Sequence, residues 1–457
     1  MPRFVDFLLV IAHLAVAVSD LNSCQPVSKH FYKKYSTKTP YQYIVDELDE
    51  KENIQPNSED CQDVQVWSIV RHGTRYPSKE AIRFITKDVV EIRDRILNSS
   101  NSLMCKEDLD NLLSWKPEQL NLDQSKDLHV EGEDELIYMG ERMVSRFPNL
   151  LAEYQPQHFL FRATGTQRAE LSGRSFAVGL FSRMIAHKVK FEDPIQPHDP
   201  LLRFYKLCKK WLKEVKKNNS SRIEFDLFSE SSHIQEIRKN LTALLGLEQT
   251  LTISDLDKIY VSCNFDQAWK PRKLSPWCTL FSDKALEIME YREDLEYYWI
   301  DGPGNEISSS PACVLLKDVL NNFQNSTLGV PEERGIFYFT HSGTLLKFLA
   351  FLGTHQDTQH LTSLNFNTLK NRKWRTSRIG AFASNISLVL RQCNGWFSVC
   401  VYVNEKIERI PGCSETCCSL EKFIKLFKTR LDKCDLDEIC ENKIGEDDNM
   451  SAPDDRF

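Results

Sequence analysis

The sequence predicts an α/β protein: a Rossmann-like mixed sheet flanked by helices, into which an α-helical cap domain is inserted. Three short apolar stretches, residues 64–70, 158–161 and 335–340, are each followed at once by a polar turn and then by a helix-spaced segment. Residues 200–322 are helix-patterned without strand alternation, the signature of an insertion between the second and third of these units. Residues 385–392 and 396–403 flank Asn394-Gly395, the turn pair of a β-hairpin, and extend the sheet antiparallel at an edge. At 457 residues, 41% of them hydrophobic, the chain can bury a large core and has room for two domains or for one domain with a big insertion.

Taken in order, the chain opens with Arg3 and an apolar run from Phe7 to Val18, interrupted by His13 and closed by the small residues Ala15, Ala17 and Ser19. That length suits a secretory signal peptide over residues 1–19 and falls short of the roughly 20 apolar residues of a membrane span. Residues 20–60 are polar and read as a surface segment. The main domain spans residues 61–410 and starts with Val64, Val66, Trp67, Ile69 and Val70, a buried strand. It stops at Arg71-His72-Gly73-Thr74-Arg75-Tyr76-Pro77. In an open α/β sheet ligands bind beyond such carboxyl ends, and Gly73 would let the backbone approach one closely. A histidine between two guanidinium groups is a poor core element, because unpaired buried cations cost several kcal/mol. An anion site follows.

Ile82, Ile85, Val89, Ile92 and Ile96 then repeat at helix spacing, and the cap is read from roughly 84–155 and 200–322. The second unit presents Arg162 at its strand end and a helix over residues 167–181. Lys206, Lys209, Lys210, Lys213, Lys216 and Lys217 lie on a predicted helix over 201–217, read as a solvated face rather than a basic wall. The third unit ends in His341-Ser342-Gly343 before an apolar helix over residues 344–352. Residues 411–457 are cysteine-rich, then acidic and partly disordered in this reading. No internal repeat occurs.

A formal charge of −7 argues against a general nucleic-acid or anionic-membrane binder, so anion affinity must be local. Fourteen cysteines in an exported chain imply up to seven disulfides, with Cys263 and Cys278 placed to staple one loop. Cys413, Cys417 and Cys418 lack the spacing of a zinc site. Asn98, Asn218, Asn219, Asn240, Asn325, Asn385 and Asn449 each head an N-x-Ser/Thr glycosylation sequon. The expectation is a soluble glycoprotein of the secretory lumen or exterior, without a membrane span.

The strand-end residues suit one chemistry. Arginine forks hold a phosphate dianion bidentately. A neutral imidazole can attack phosphorus, and the phosphohistidine is later hydrolysed, splitting one hard step into two. Arg71, Arg75 and Arg162 are the candidate clamp, His72 the nucleophile, and His341 a donor to a phosphate oxygen. The scheme calls for no metal and no cofactor.

The heptapeptide at residues 71–77, Phe161-Arg162-Ala163-Thr164 followed by Gln167-Arg168, the Ser-Pro-Trp-Cys block at residues 275–278, and Tyr298-Trp299 to Asp301-Gly302 resemble the histidine acid phosphatases, and within them the multiple inositol polyphosphate phosphatases. The resemblance covers roughly residues 60–410. It implies a histidine phosphatase core with a helical cap and phytate-like inositol polyphosphates as substrates, extending to bisphosphoglycerate. It also implies an acid directly after the second histidine, as His-Asp or His-Ala-Glu. Here Ser342 and Gly343 stand in those places, so the general acid is unassigned. Two readings lead: a phosphomonoesterase, slow or using another acid, and a polyphosphate-binding protein that keeps the clamp without turnover. A mutase or transferase of the wider group is a third.

Overall fold

Seven strands form one mixed sheet in the computed structural model, which describes residues 24–25, 27–29, 32–48, 61–118, 120–329 and 333–442. The proposed signal segment and Asn449 lie outside the described residues. The strands are β1 (Gln62–Arg71), β2 (Phe159–Ala163), β3 (Gly335–Thr340), β4 (Asn385–Cys393), β5 (Trp396–Val403), β6 (Lys406–Glu408) and β7 (Cys418–Ser419). Their order is β2-β3-β1-β4-β5-β6, with β7 also paired to β5. β3 runs parallel to both β1 and β2, and the β4–β5 hairpin adds to β1 antiparallel.

Main helices in chain order are α1 (Lys79–Thr86), α2 (Asp88–Leu97), α3 (Lys106–Ser114), α4 (Val130–Arg146), α5 (Gln167–Phe181), α6 (Ser232–Leu245), α7 (Ile253–Trp269), α8 (Asp283–Ile300), α9 (Cys313–Thr327), α10 (Ser342–Leu352) and α11 (Leu420–Asp432). Strand alternation sorts the core into two faces. Val66, Val70, Phe337 and Phe339 pack with Leu136 and Met139 of α4 and Phe176 and Leu180 of α5. Trp67, Ile69, Ile336 and Tyr338 face the other way, with α9, α10 and the cap. Covered on both faces, β1 and β3 carry near-continuous apolar runs, as buried parallel strands do.

Three expectations are corrected. The helix α4 belongs to the sheet's own layer rather than to the cap, because its apolar stripe packs on α5 and the strands. Residues 201–217 are no single helix: 3-10, α and π turns follow one another, and Lys206 is buried while Lys213 and Lys217 are exposed. Residues from Tyr35 to Thr39 are buried, not superficial; their backbone turn and side chains fill the space beside the end of β1.

All fourteen cysteines pair: 24–105, 61–393, 208–440, 263–278, 313–434, 400–417 and 413–418. The bonds 208–440 and 313–434 fasten the carboxyl-terminal segment across the molecule. Asp294 of α8 accepts from Arg372 and from Thr376, and Glu290 from Arg375 and Ser377, so a buried ionic network ties the cap to the segment before β4. No helix among the described residues is long and apolar enough to cross a membrane.

Candidate active site

Parallel register brings the strand ends together. Arg71 pairs with Thr340, the His72 amide donates to the Thr340 carbonyl at 3.0 Å, and the Thr164 amide donates to the Phe339 carbonyl at 3.0 Å. The turns after β1, β2 and β3 therefore leave the same edge. His72 and His341 meet there, ring centroids 5.5 Å apart. His341 is the N-cap of α10, and Thr166 that of α5, so two helix amino termini face the same end of the sheet. Their partial positive charge favours an anion.

His72 Nδ1 lies 2.9 Å from the Gly73 carbonyl. A carbonyl only accepts, so Nδ1 carries the proton and Nε2 keeps its lone pair. Burial holds the His72 pKa well below the usual value, and the charges of Arg168 and Arg71, then His341 and Arg75, add to the depression. His341 is pushed the same way by burial, then by Arg168, Arg203 and Lys206. Its Nδ1 accepts from Arg168 Nη2 at 3.5 Å, and its Nε2 lies 3.1 Å from Thr164 Oγ1. Two neutral imidazoles thus sit inside a cluster of cations. That arrangement suits a nucleophile and a hydrogen-bonding partner for a phosphate.

Of the three candidate clamp arginines, Arg162 stands away from the histidines. Arg71 is oriented by Nη1 donation to the Thr37 and Gly380 carbonyls, both at 2.6 Å, with its guanidinium 4.5 Å from the Phe382 ring centre. Arg75 Nη1 donates to the Tyr76 carbonyl at 2.8 Å. Arg162 instead donates from Nε to Asp199 Oδ2 at 2.8 Å, beside Glu192 at 3.9 Å. In register it is level with Tyr338 and hence Ile69, two residues short of the edge where Arg71 stands. Two strand residues are about 6.6 Å. Arg168, in the first turn of α5, occupies the place expected of Arg162, against both histidines.

Gly73 also has a different reason from the one expected. A Cβ there would stand 2.4 Å from the Gly132 carbonyl oxygen, so the glycine admits α4, not a ligand. From α4, Glu135 accepts from the Thr74 amide at 2.7 Å, the Thr74 hydroxyl at 3.0 Å and the Tyr41 amide at 2.7 Å. Burial pushes its carboxyl up to about 7 against those bonds. Lys38, buried and ion-paired with Glu293, lies near enough to Arg75 to feel its charge. Arg168, Arg203, Lys206, Lys38 and Glu135 were not singled out as site residues. The one available signal was Arg168, which stands beside the recognised arginine motif.

Among the described residues no cluster of His, Cys, Asp or Glu is placed to hold a metal ion. Four sequon regions, at Asn98, Asn218–Asn219, Asn240 and Asn325, are exposed. Asn385 is not an acceptor in this fold: it is 1% exposed and donates its amide to Tyr41 Oη at 2.7 Å. A glycan on that nitrogen has no room.

Residues 64–406 match the family model of the histidine phosphatase superfamily, branch 2. The chain is 29% identical over 439 residues to multiple inositol polyphosphate phosphatase 1 of Drosophila melanogaster, covering 93% of this chain and 91% of that one. The Homo sapiens protein of the same name is 28% identical over 408 residues, covering 83% and 82%. Among solved structures, the fold is shared with the Bifidobacterium longum multiple inositol polyphosphate phosphatase in complex with inositol hexasulfate, at a TM-score of 0.66 and 16% identity, covering 87% of this chain and 97% of that one. The phytase from D. castellii gives 0.67 and 17%, covering 87% and 85%. With its strand-end histidines and arginines inside the matched region, the chain belongs to branch 2 of the histidine phosphatase superfamily.

Proposed function

We propose that the chain is an exported phosphomonoesterase that hydrolyses inositol polyphosphates through a phosphohistidine at His72. Phytate-like esters are its principal substrates and bisphosphoglycerate a further one. The observation that carries this reading is the neutral His72, its Nδ1 committed to Gly73 and its lone pair on Nε2, inside a ring of arginines. Arg71, Arg75 and Arg168 hold the phosphoryl oxygens, and His341 contributes a hydrogen bond as charge builds on them. Nε2 bonds to phosphorus as the ester oxygen leaves, and water then returns the phosphoryl group as inorganic phosphate. The names of the relatives support the substrate class. The disulfides support an oxidising compartment.

A second reading, a polyphosphate binder without turnover, is favoured by Ser342-Gly343, neither of which carries a carboxyl group. Rapid-mix trapping with phosphorus-labelled aryl phosphate and labelled inositol hexakisphosphate separates the two. Hydrolysis predicts acid-labile label on His72 and phosphate release from both esters. Saturable binding of the inositol ester with no label from either would overturn the hydrolase reading.

A further inference from the structure

Gly343 leaves a gap that nothing in the backbone requires. It sits in the first turn of α10, two residues after His341. It adopts no left-handed φ, and a Cβ there would meet nothing closer than 3.4 Å, in contrast with the 2.4 Å contact that demands glycine at 73. In a helix, glycine costs about 0.5–1 kcal/mol relative to alanine, so neither conformation nor close packing accounts for it. The wall of the gap is polar: that Cβ would stand 3.4 Å from Tyr205 Oη and 3.5 Å from Asp301 Oδ1. Asp301 follows directly on α8, so the cap reaches the position with a carboxylate from outside.

Lys347 lies one helical turn beyond Gly343 on the same face of α10. Its ammonium is ion-paired with Asp301, donates to the Ile300 carbonyl at 3.2 Å, and lies 4.2 Å from the Trp211 ring centre. Its side chain is wholly buried, whereas that of Asp301 retains 14% exposure. The pair is oriented with lysine at the back and carboxylate at the gap.

We propose that Asp301, backed by Lys347, delivers the proton to the departing ester oxygen in place of a side chain at position 343. The inference rests on the hydrolase reading above. As the His72 Nε2–phosphorus bond forms, the phosphorus–oxygen ester bond breaks and its electron pair stays on the inositol oxygen. That oxygen takes the one proton shared by the pair, leaving Asp301 as carboxylate and Lys347 as neutral amine. In the second step water adds its oxygen to phosphorus and returns a proton to the pair, so protons balance over the cycle.

The test compares a poor and a good leaving group, a contrast that a merely structural role would not produce. Asp301→Asn is expected to lower kcat on inositol hexakisphosphate by about 10²–10⁴-fold, the usual contribution of a general acid, and kcat on p-nitrophenyl phosphate by less than about tenfold. Adding Gly343→Glu to that variant is expected to restore much of the inositol ester turnover selectively. Equal losses on both substrates, or no loss on the inositol ester, would overturn the proposal. Should Asp301→Asn not fold, the unmodified protein serves: kcat/KM across alkyl and aryl phosphates is expected to vary little with leaving-group pKa, and a drop beyond about 10²-fold from aryl to alkyl sinks the idea. Unmodified protein that labels His72 from the aryl ester yet releases no phosphate from the inositol ester defeats the Asp301 assignment and the inositol-ester substrate, and leaves only the phosphohistidine step standing; turnover of the inositol ester that Asp301→Asn does not lower defeats the Asp301 assignment alone. Protein that labels with neither ester defeats the hydrolase reading with it.

Discussion

Replacing Arg168 and Arg162 one at a time should produce opposite defects. Arg168 stands against both histidines, and its charge is the largest electrostatic cause of the low His72 pKa. Two charge-assisted hydrogen bonds to a phosphoryl group, at roughly 1.5–3 kcal/mol each, amount to about 3–6 kcal/mol. Arg168→Ala should therefore lower kcat/KM on an aryl phosphate by roughly 10²–10⁴-fold. Losing that cation also lets the His72 pKa rise toward its ordinary value, so more of the ring is protonated in acid and the defect should be deeper at pH 5 than at pH 7. Stability should change little, because the substitution removes one cation from a crowd of them. Arg162→Ala does the reverse. It leaves the Asp199 carboxylate, with no side-chain exposure, without its ion partner, at a cost of about 3–5 kcal/mol. For 457 residues at about 2.1 cal/mol/K each, the melting temperature should fall by roughly 3–5 °C, with kcat of the folded fraction near normal. Steady-state kinetics at the two pH values and calorimetry read out both. If Arg162→Ala abolishes turnover without lowering Tm while Arg168→Ala is active, the assignment of the clamp is wrong.

Three further outcomes follow from the same geometry. Glu135 has a folded pKa raised from 4.5 to about 7, so the folded state binds the extra proton and stability is lost as pH rises across that window, by about 3 kcal/mol; Glu135→Gln should flatten the difference in denaturation midpoint between pH 5 and pH 8, and an unchanged difference would refute it. Gly73→Ala drives a methyl against the Gly132 carbonyl and should cost folding, seen as lost soluble yield, whereas Gly343→Ala should fold with Tm close to the parent. Peptide mass spectrometry of the protein expressed through a secretory pathway should find Asn385 unmodified, and a glycan there would mean that β4 is not docked as described.

Much of the fold was open to reading because β1, β2 and β3 announce themselves by apolar runs that stop at charged turns, and the Asn394-Gly395 hairpin by its turn chemistry. His72 and His341 were likewise visible in the polar turns that directly follow such runs. Arg162 misled because chain position relative to a run is not height on a sheet. Register sets that, and it makes Thr164 rather than Arg162 the next neighbour of Thr340. Lys38 and Arg203 come from segments whose local patterns carry no chemistry, and only long-range packing brings them near Arg75 and His341. The polar run before β1 looked superficial because buried Ser36 and Thr37 find hydroxyl partners far off in sequence, at Thr376 and Tyr297, while Thr39 bonds the local backbone, an arrangement with no periodic trace.

The guanidinium of Arg71 takes its aim from carbonyls 34 residues before it and 309 residues after it. During synthesis the heptapeptide leaves the ribosome early, with the proposed nucleophile His72 already present in sequence, but the second carbonyl that orients Arg71 is made only after most of the chain has followed. Nascent or truncated chains ending before Gly380 would carry the phosphatase motif without a finished site. Activity in this protein is therefore a property acquired late in biogenesis, and the appearance of turnover marks the moment when the two ends of the domain have met.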